Sequence, residues 1–354
     1  GLDFAGKDES GLIEIPEIAN ARGLREVGCL PDAGPGLAEV EGGRDVEAIR
    51  AGLESGEIES LLLFGVDPLR DFPDTDGWRR ALESAGHVVC FSMNANDTTE
   101  YADVVFPLES HAEKDGTVTH PEGRLQRVRP SAKRPGDINA GWMALAELCA
   151  AIGHETGIHS APEALAAITE AVPFYAGLSD AEIAGRGIRW QQSEAARSFA
   201  ASLVEADGPA AAGAPGREAV AEDSPATNGD GPSGGLKLGT YRDLWADPTT
   251  DLSPALNYLM PAQRLEISGA DAKRLGLSGG DEVSVNSGEA SVNARVAIRA
   301  AMPEGTCFLI EGTVEGNANV FANGRPAEVE IGKPEVKLDL VAAGGADPPD
   351  GEPQ

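Results

Sequence analysis

The sequence predicts an α/β fold, in which a parallel, Rossmann-like sheet with helices on both faces is followed by a small β-barrel. In the first third of the chain, short apolar runs alternate with amphipathic helical patterns. This alternation is typical of parallel strands that are buried on both sides. Later in the chain, short alternating segments separated by Gly predict the barrel.

The α/β region is defined by apolar spacing and by cap residues. Apolar positions at helical spacing predict two helices, which begin near Arg44 and Thr75. Asp97 with Glu100 fits a capping box that opens a further short helix. Three apolar runs of strand length are the predicted strands: residues 61–64, 87–93 and 104–106.

The region that follows is predicted to be helical. Trp142, Leu145, Cys149 and Ile152 share one helical face. Pro162 suits the first turn of the next helix, and Ser179 with Glu182 fits a second capping box. In the barrel region a helical turn is predicted over residues 271–275. The predicted barrel strands are residues 264–268, 281–286, 291–298, 307–310 and 329–331.

These elements predict five segments. Residues 201–235 contain almost no large apolar side chain, so they are expected to form a flexible linker or loop, and the C-terminal tail has the same character. The segments are an α/β domain over 1–153, a helical extension over 154–200, the linker over 201–235, the barrel over 236–340 and a disordered tail over 341–354.

The charge of the chain excludes several functions. The formal net charge is -30, which repels nucleic-acid phosphates and anionic lipid. The longest apolar run, residues 61–66, is far shorter than the ~20 residues of a membrane helix. We therefore expect neither nucleic-acid binding nor membrane insertion. The chain begins with Gly1, and we expect a processed or truncated start.

Cysteine and histidine spacing indicates no metal site within this chain. The 4 cysteines are far apart and form no CxxC pair, so we expect free thiols, a reducing compartment and no cluster or structural zinc. His154 and His159 are five residues apart, which does not place both imidazoles on one helix face.

A hydrolase triad is also not expected. Ser110, His111 and Asp115 occur close together, but adjacent Ser and His rarely have triad geometry, and there is no GxSxG motif. We therefore assign no catalytic residue to this chain.

The turns after the predicted parallel strands form the candidate binding site. Ligands of open parallel sheets lie beyond the carboxyl ends of the strands. Small and polar residues there can hydrogen-bond a heterocycle or a ribose, and the same residue types also serve as ordinary turn and cap residues. The candidates are Gly65, Asp67, Asn94, Thr98, Thr99, Gly116 and Thr117.

A basic stretch, Arg124–Arg134, stands out in this acidic chain. It fits contact with an acidic partner or with a phosphate-bearing cofactor. It fits equally well a solvated loop that balances local charge.

Two segments resemble molybdopterin oxidoreductases. Residues 101–127 (YADVVFPLESHAEKDGTVTHPEGRLQR) resemble a signature of that family, although His120 stands where the signature has Asn. Residues 268–287 (SGADAKRLGLSGGDEVSVNS) resemble the start of the family's dinucleotide-binding domain, a double-psi β-barrel. The resemblance implies that both domains are present in the family's order, and it adds Asn317 to the candidate site.

Within that family, three stretches resemble the large peripheral-arm subunit of bacterial NADH-quinone oxidoreductase (respiratory complex I). They are residues 20–28 (NARGLREVG), 30–36 (LPDAGPG) and 178–190 (LSDAEIAGRGIRW). This resemblance implies a structural scaffold portion of an enzyme that passes electrons from NADH through iron–sulfur clusters to quinone. The clusters are expected N-terminal to this chain, the partners are other peripheral-arm subunits, and the location is the cytoplasmic face of the plasma membrane.

Departures from catalytic relatives lead us to expect that this segment binds no cofactor. Asp67 stands where such relatives have Asn, and Glu311 and Glu315 lie near Asn317. Poorly solvated carboxylates would repel a pyrophosphate by several kcal/mol. The alternative is the C-terminal half of a catalytic molybdenum enzyme of the formate dehydrogenase type, which would bind molybdopterin guanine dinucleotide.

Overall fold

The computed structural model describes residues 16, 18–136, 138–199, 235–322 and 327–333. These residues form two compact units, one made of residues 16–69 and 76–199, the other of residues 70–75 and those from 235 onward. The predicted tail, and all but the last residue of the predicted linker, lie outside the described residues. The predicted segment boundaries stay predictions, and the sequence does not indicate that residues 70–75 belong with the barrel.

Short helices and strands alternate along both units. The helices are α1 (Ala21–Glu26), α2 (Val46–Glu54), α3 (Pro68–Asp71), α4 (Thr75–Ser84), α5 (Gly141–Ala151), α6 (Ala161–Ala171), α7 (Asp180–Ile183), α8 (residues 194–199), α9 (Pro248–Leu252) and α10 (Gly269–Leu275). The strands are β1 (Ser60–Phe64), β2 (His87–Ser92), β3 (Val104–Pro107), β4 (Gly116–Thr119), β5 (Arg124–Val128), β6 (Ile188–Arg189), β7 (Leu236–Arg242), β8 (Arg264–Ser268), β9 (Glu282–Ser287), β10 (Ala290–Arg299), β11 (Thr306–Glu311) and β12 (Ala327–Gly332).

The predicted fold class is confirmed. In the part of the chain that the structure describes, β1, β2 and β3 form a parallel sheet, and β7 to β12 form a closed barrel. The remaining strands, β4 to β6, form a separate antiparallel sheet in the first unit.

The parallel sheet buries alternate side chains against neighbouring helices. Leu61 and Leu63 of β1 are buried, as the alternation of a strand requires. The helices before and after β1 bury Leu53, Trp78 and Leu82, whose helical spacing predicts this face. Because the strands are parallel, their carboxyl ends lie at one edge of the sheet.

Cap residues differ in one place from the prediction. The 3-10 helix Asp97–Tyr101 is capped by Asn96, whose Oδ1 accepts the N–H of Thr99 at 3.0 Å, and Thr99 Oγ1 accepts the N–H of Asn96 at 2.9 Å. The predicted capping box of Asp97 and Glu100 is therefore wrong by one residue, because a hydroxyl satisfies the reciprocal bond that we assigned to a carboxylate. The other predicted capping box, Ser179 with Glu182, is confirmed.

The antiparallel sheet is absent from the sequence prediction. Leu125 of β5 pairs with Thr119 of β4 and with Ile188 of β6. These strands are short and rich in Thr, Arg and Gln, so no apolar alternation marks them. Leu125 nevertheless packs into a buried cluster that includes Phe174 and Tyr175.

A buried carboxylate joins distant parts of the first unit. Glu26 of α1 accepts hydrogen bonds from Nε1 of Trp190 at 3.0 Å, from Nε of Arg22 at 2.8 Å and from the hydroxyl of Tyr175. Burial raises the pKa of Tyr175 well above its usual range, and the negative charge of Glu26 raises it further. Tyr175 therefore remains a hydrogen-bond donor at every ordinary pH.

The barrel closes in the order β10-β8-β11-β7-β12-β9. The strand pairs β8–β10 and β7–β11 are parallel, and the other pairings are antiparallel. The sequence prediction misses β7, in which Gly239 interrupts the apolar pattern. The interior is filled by aliphatic side chains, among them Leu236, Leu265, Ile267, Val285, Leu309 and Val329.

One thiol lies within this barrel core. Burial raises the pKa of Cys307 to about 12, and the nearby carboxylate of Asp271 raises it further. Cys307 therefore behaves as a small apolar core residue.

The side-chain amide of Gln263 is hydrogen-bonded to the backbone of several barrel segments. Its Nε2 donates to the carbonyl oxygens of Ile310 and Gly316, each at 2.8 Å. Its Oε1 accepts the N–H of Ile310 at 2.9 Å and the N–H of Arg264 at 3.0 Å. One buried amide thus satisfies backbone groups on β8, on β11 and in the loop after β11.

We predict that Gln263→Ala lowers the free energy of unfolding of the barrel by about 2–4 kcal/mol, because it leaves several buried backbone groups without partners. Urea denaturation of the variant measures this loss. The matched control is Gln192→Ala at an exposed position, which we expect to stay within about 0.5 kcal/mol of the wild type. Equal stabilities of the two variants would contradict the role of Gln263.

Candidate functional site

The structure places five of the eight predicted site residues after β1 and β2, at the carboxyl edge of the parallel sheet. They are Gly65, Asp67, Asn94, Thr98 and Thr99. Gly65 has a φ of 66°, and its N–H donates to the carbonyl oxygen of Phe91 at 2.8 Å. A residue with a side chain would be strained in this conformation. Gly65 therefore lets the chain turn immediately after β1.

Asp67 and Thr98 form a buried clamp between the two turns. The hydroxyl of Thr98 donates to Oδ1 of Asp67 at 2.5 Å, and Thr98 Oγ1 accepts the N–H of Leu69 at 3.4 Å. Burial raises the pKa of the Cys90 thiol in β2, and the charge of Asp67 raises it further. Thr98 thus fixes the shape of the first turn, and its hydroxyl is not available to a ligand.

Asn94 and Thr99 have different roles at this edge. Thr99 Oγ1 donates to the carbonyl oxygen of Asn96 at 2.7 Å, so it serves as a cap residue. The half-buried side-chain amide of Asn94 makes no hydrogen bond with the described residues, although its backbone contacts Ser92. Asn94 is therefore the polar side chain of this edge that is best placed to bind a ligand.

Gly116 and Thr117 do not lie at this edge. They belong to β4 of the antiparallel sheet, where they pair with Val128 and Arg127. The signature that contains them supplies a hairpin strand of the first unit rather than a turn after β3. Their role in binding stays a prediction.

The sequence prediction misses Glu109, which follows β3. This carboxylate is buried, and its Oε2 accepts the N–H of Gly141 at 2.7 Å. A carboxylate at a helix N-terminus is favourable, because the first N–H groups of the helix have no partner within the helix. Glu109 therefore fixes the start of α5 beside the end of β3.

The basic stretch is balanced by local acidic residues. Arg124 pairs with Glu122 at 2.8 Å, and Arg127 pairs with Asp115 and Asp180. Of the two interpretations, the structure favours local charge balance, at least for Arg124 and Arg127.

The eighth predicted residue, Asn317, belongs to the second unit. Nδ2 of Asn317 donates to the carbonyl oxygen of Arg70 at 3.0 Å, and Nδ2 of Asn319 donates to the same oxygen at 2.7 Å. Oδ1 of Asn317 accepts the N–H of Gly312 at 3.0 Å. Asn317 therefore holds Arg70 against the loop after β11.

Arg70 carries an unsatisfied donor, which the sequence prediction misses. Its Nη1 forms a long contact of 3.4 Å with Asp251, and its buried Nη2 has no hydrogen-bond partner among the described residues. The hydroxyl of Thr75 is likewise buried without a partner there. Buried polar groups are almost always satisfied, so such groups mark a place where a further partner fits. No local sequence pattern distinguishes Arg70 from an ordinary turn residue.

The second unit contains a groove of about 920 Å³, and Asp251, the ion-pair partner of Arg70, is one of the residues that line it. Asp251, Gln263, Asn293, Arg295 and Glu315 are among the residues that line it. Arg295 forms an ion pair with Glu282 at 3.2 Å, and both residues line the groove. None of the eight predicted site residues lines this groove.

No metal centre is found in the residues that the structure describes. Among them, no group of three or more His, Cys, Asp or Glu side chains is arranged to hold a metal ion. None of the described helices is long and apolar enough to cross a membrane.

The first unit has polar groups at the carboxyl edge of a parallel sheet, where the ligands of such sheets bind. The second unit has a barrel and, in Nη2 of Arg70, a buried charged donor of the kind that binds anions. Matches to two protein-family models identify the kind of protein. Residues 22–151 match "Molybdopterin oxidoreductase", and residues 236–338 match "Molydopterin dinucleotide binding domain". The chain therefore belongs to the molybdopterin oxidoreductase family and carries both of these domains.

Similar proteins are subunits of larger oxidoreductases. The NADPH-Fe(3+) oxidoreductase subunit alpha of Geobacter sulfurreducens is 29% identical over 87% of this chain and 35% of its own length. A subunit of NADH-quinone oxidoreductase from Rhizobium meliloti is 28% identical over 93% of this chain and 39% of its own length. The F420-dependent formate dehydrogenase subunit alpha of Methanocaldococcus jannaschii is 26% identical over 95% of this chain and 53% of its own length. The chain thus spans between about a third and about half of these relatives.

A solved structure shows the same fold. Acetylene hydratase from Pelobacter acetylenicus matches with a TM-score of 0.57 at 13% identity, over 85% of this chain and 47% of that chain. At this identity the likeness concerns the fold alone.

The prediction that this segment binds no cofactor is wrong. The two matched domains indicate binding of molybdopterin guanine dinucleotide. The structure shows why the electrostatic argument fails. Asp67 is hydrogen-bonded by Thr98, Glu311 accepts a hydrogen bond from Thr240, and Glu315 is exposed to solvent. Solvated or hydrogen-bonded carboxylates repel a phosphate far less than bare buried ones.

Each unit, taken by itself, has polar groups that could bind a ligand of this kind. In the second unit, the unsatisfied Nη2 of Arg70 is a charged donor of the kind that binds phosphate oxygens. In the first unit, the Asn94 amide can both donate to and accept from a base or a ribose.

We predict that Thr98→Val loosens the turn after β1, because it removes a hydrogen bond to a buried carboxylate worth about 1.5–3 kcal/mol. Hydrogen exchange of a peptide covering residues 65–69 should become about tenfold faster or more. The matched control is Thr117→Val in β4, which should leave exchange of that peptide unchanged. Unchanged protection in Thr98→Val would contradict the clamp.

Proposed function

We propose that this chain is the dinucleotide-binding portion of the large subunit of an NADH:quinone oxidoreductase, the enzyme that passes electrons from NADH through iron–sulfur clusters to quinone. Within it, the chain acts as a scaffold, and NADH oxidation takes place elsewhere in the assembly. The Rhizobium meliloti relative supports this proposal through its name and its match over 93% of the chain.

One structural observation carries the proposal. Two of the three stretches that resemble the NADH–quinone enzyme's large subunit are joined by a hydrogen bond to a buried carboxylate, and the other packs against a neighbouring part of the first unit. Glu26, from the first stretch, accepts the Nε1–H of Trp190, from the third. Gly36, from the second, lies so close to Pro173 that a Cβ atom would be 2.5 Å from Cδ of the proline. All three motifs therefore contribute to the packing of the first unit.

The residues of the chain would hold the cofactor rather than react. In the second unit, Arg70 would bind an anionic part of the dinucleotide, while Asn317 and Asn319 fix its backbone. In the first unit, the Asn94 amide would hydrogen-bond a polar group of a ligand at the carboxyl edge of the parallel sheet. The Asp67–Thr98 clamp would hold the neighbouring turn rigid. When bound, the group supplies the redox chemistry, as cofactors of this kind do.

The proposal extends to partners and location. The chain would contact other subunits of the peripheral arm, at the cytoplasmic face of the plasma membrane. Names of the similar proteins describe them as subunits, which supports an assembly with partners. The net charge of -30 is compatible with an arm held away from anionic lipid.

A second candidate is the catalytic subunit of a formate dehydrogenase. The Methanocaldococcus jannaschii relative matches 95% of this chain, which is as complete as the match to the Rhizobium meliloti relative. In this case the same residues would hold the dinucleotide cofactor, and its metal centre would supply the redox chemistry for formate oxidation.

The electron donor separates the two candidates. We predict that the native complex, purified from its source through a tag on this subunit, oxidises NADH with a quinone acceptor and does not oxidise formate. Spectrophotometric assays with each donor, together with metal analysis of the same preparation, test this. Formate oxidation that accompanies stoichiometric molybdenum or tungsten, without NADH oxidation, would overturn the first candidate in favour of the second.

A further inference from the structure

The groove of the second unit lies outside the hydrophobic core of the barrel. It is lined by residues of β10, of the segment 251–263 and of the loop over residues 313–316. In β10, the exposed Asn293 and Arg295 alternate with buried residues of the core. Because side chains alternate between the two faces of a barrel strand, these two residues point away from the core. A binding partner can therefore reach the groove without disturbing the barrel.

Apolar side chains are exposed along this groove. Val314 exposes 61% of its surface, and Met260 and Pro261 are only partly buried. Tyr258, in the same segment as Met260, is 78% exposed. Single exposed apolar residues are common on protein surfaces. Several of them in one concave site are typical of a surface that binds a partner.

The charged side chains of the groove are mostly acidic. Three carboxylates line it, those of Asp251, Glu282 and Glu315, and Arg295 is the only basic residue among the lining residues. Arg295 is already paired with Glu282, and Asp251 makes only a long contact of 3.4 Å with Arg70. The exposed Glu315 forms no hydrogen bond or ion pair with the described residues. The groove therefore retains negative charge, which attracts a cationic group.

A buried hydroxyl group on the groove lacks an acceptor. Thr313 is 4% exposed, and its Oγ1 accepts a hydrogen bond from Nε2 of Gln263 at 3.4 Å. Within the part of the chain that the structure describes, no acceptor is found for the proton of this hydroxyl. Buried donors are almost always satisfied. A peptide carbonyl oxygen bound in the groove would accept this one.

We propose that this groove binds a basic segment of another subunit of the oxidoreductase. A lysine or arginine side chain of that segment pairs with Glu315, and a neighbouring apolar side chain packs on Val314 and Met260. A backbone carbonyl oxygen of the segment accepts the hydroxyl proton of Thr313. The inference rests on the partner subunits of the proposed function. It adds the surface that one of them uses and the chemistry of its docking segment.

Charge complementarity favours this occupant over others. The net charge of -30 disfavours a second copy of this chain and any acidic partner, because like charges repel. The dinucleotide is not the expected occupant, because neither Arg70 nor any of the eight predicted site residues lines the groove. Two similar proteins, from Geobacter sulfurreducens and Rhizobium meliloti, are named as subunits, which supports the presence of partner chains.

Site-specific photo-cross-linking in the native complex tests the proposal. Benzoylphenylalanine replaces Val314 in the tagged subunit, with Met260 as a second position, and cross-linked peptides of the purified complex are identified by mass spectrometry. The matched control has the same amino acid at Lys273, an exposed residue of α10 that does not line the groove. The role of charge is tested by adding Glu315→Lys, with Glu315→Asp as the conservative variant.

We predict cross-links from position 314 to a segment of another subunit that carries lysine or arginine next to the cross-linked site. Glu315→Lys should lower their yield at least about threefold relative to Glu315→Asp, because charge reversal weakens the pairing. Cross-links to this subunit alone, to an acidic segment, or only at the yield of the control would overturn the proposal. So would a yield that does not respond to Glu315→Lys.

Failure of this inference is distinguishable from failure of the proposed function. A wild-type subunit that purifies without any other chain would overturn the proposed partners together with this inference. A complete complex that oxidises NADH but gives no cross-link from the groove would overturn the inference alone.

Discussion

The hydrogen bonds from Asn317 and Asn319 to the carbonyl oxygen of Arg70 are the interaction on which the site of the second unit depends. They attach residues 70–75 to the barrel, although these residues are distant from it in sequence. Arg70 itself is partly buried, and its Nη2 is a buried atom without a hydrogen-bond partner among the described residues. A buried donor without a partner is costly, so a bound ligand or a water molecule is expected to complete it.

Several other buried polar side chains are matched to their partners. Glu26 accepts three hydrogen bonds, and the amide of Gln263 satisfies backbone groups of β11. Asp67 is held by Thr98. Because such networks are complete, they specify the fold without offering donors to a ligand. This contrast distinguishes Arg70 and Asn94 from the many other polar residues near the carboxyl edge and the barrel loops.

The fold class and most strands follow from the sequence, because buried parallel strands and alternating barrel strands leave strong apolar patterns. The hairpin of β4 and β5 does not, since residues such as Thr117 and Arg127 leave no apolar alternation and are fixed by tertiary packing. Within the site, motifs locate Asp67 and Asn317, but the consequences drawn from the charge of Asp67 and of the carboxylates near Asn317 fail. Whether a carboxylate repels a ligand depends on its hydrogen bonds and solvation, as Thr98 and the exposed Glu315 show. The role of Arg70 depends on contacts across more than 240 positions of sequence and has no local signal.

Binding of a guanine dinucleotide cofactor, with Arg70 contributing to its retention, is the central claim for this chain. The most direct measurement is the amount of guanine nucleotide released by acid from the purified native complex, quantified by chromatography and compared with the same complex carrying Arg70→Gln. We predict stoichiometric release from the wild type and a clear loss in the variant. A wild-type complex that releases no guanine nucleotide would contradict the claim.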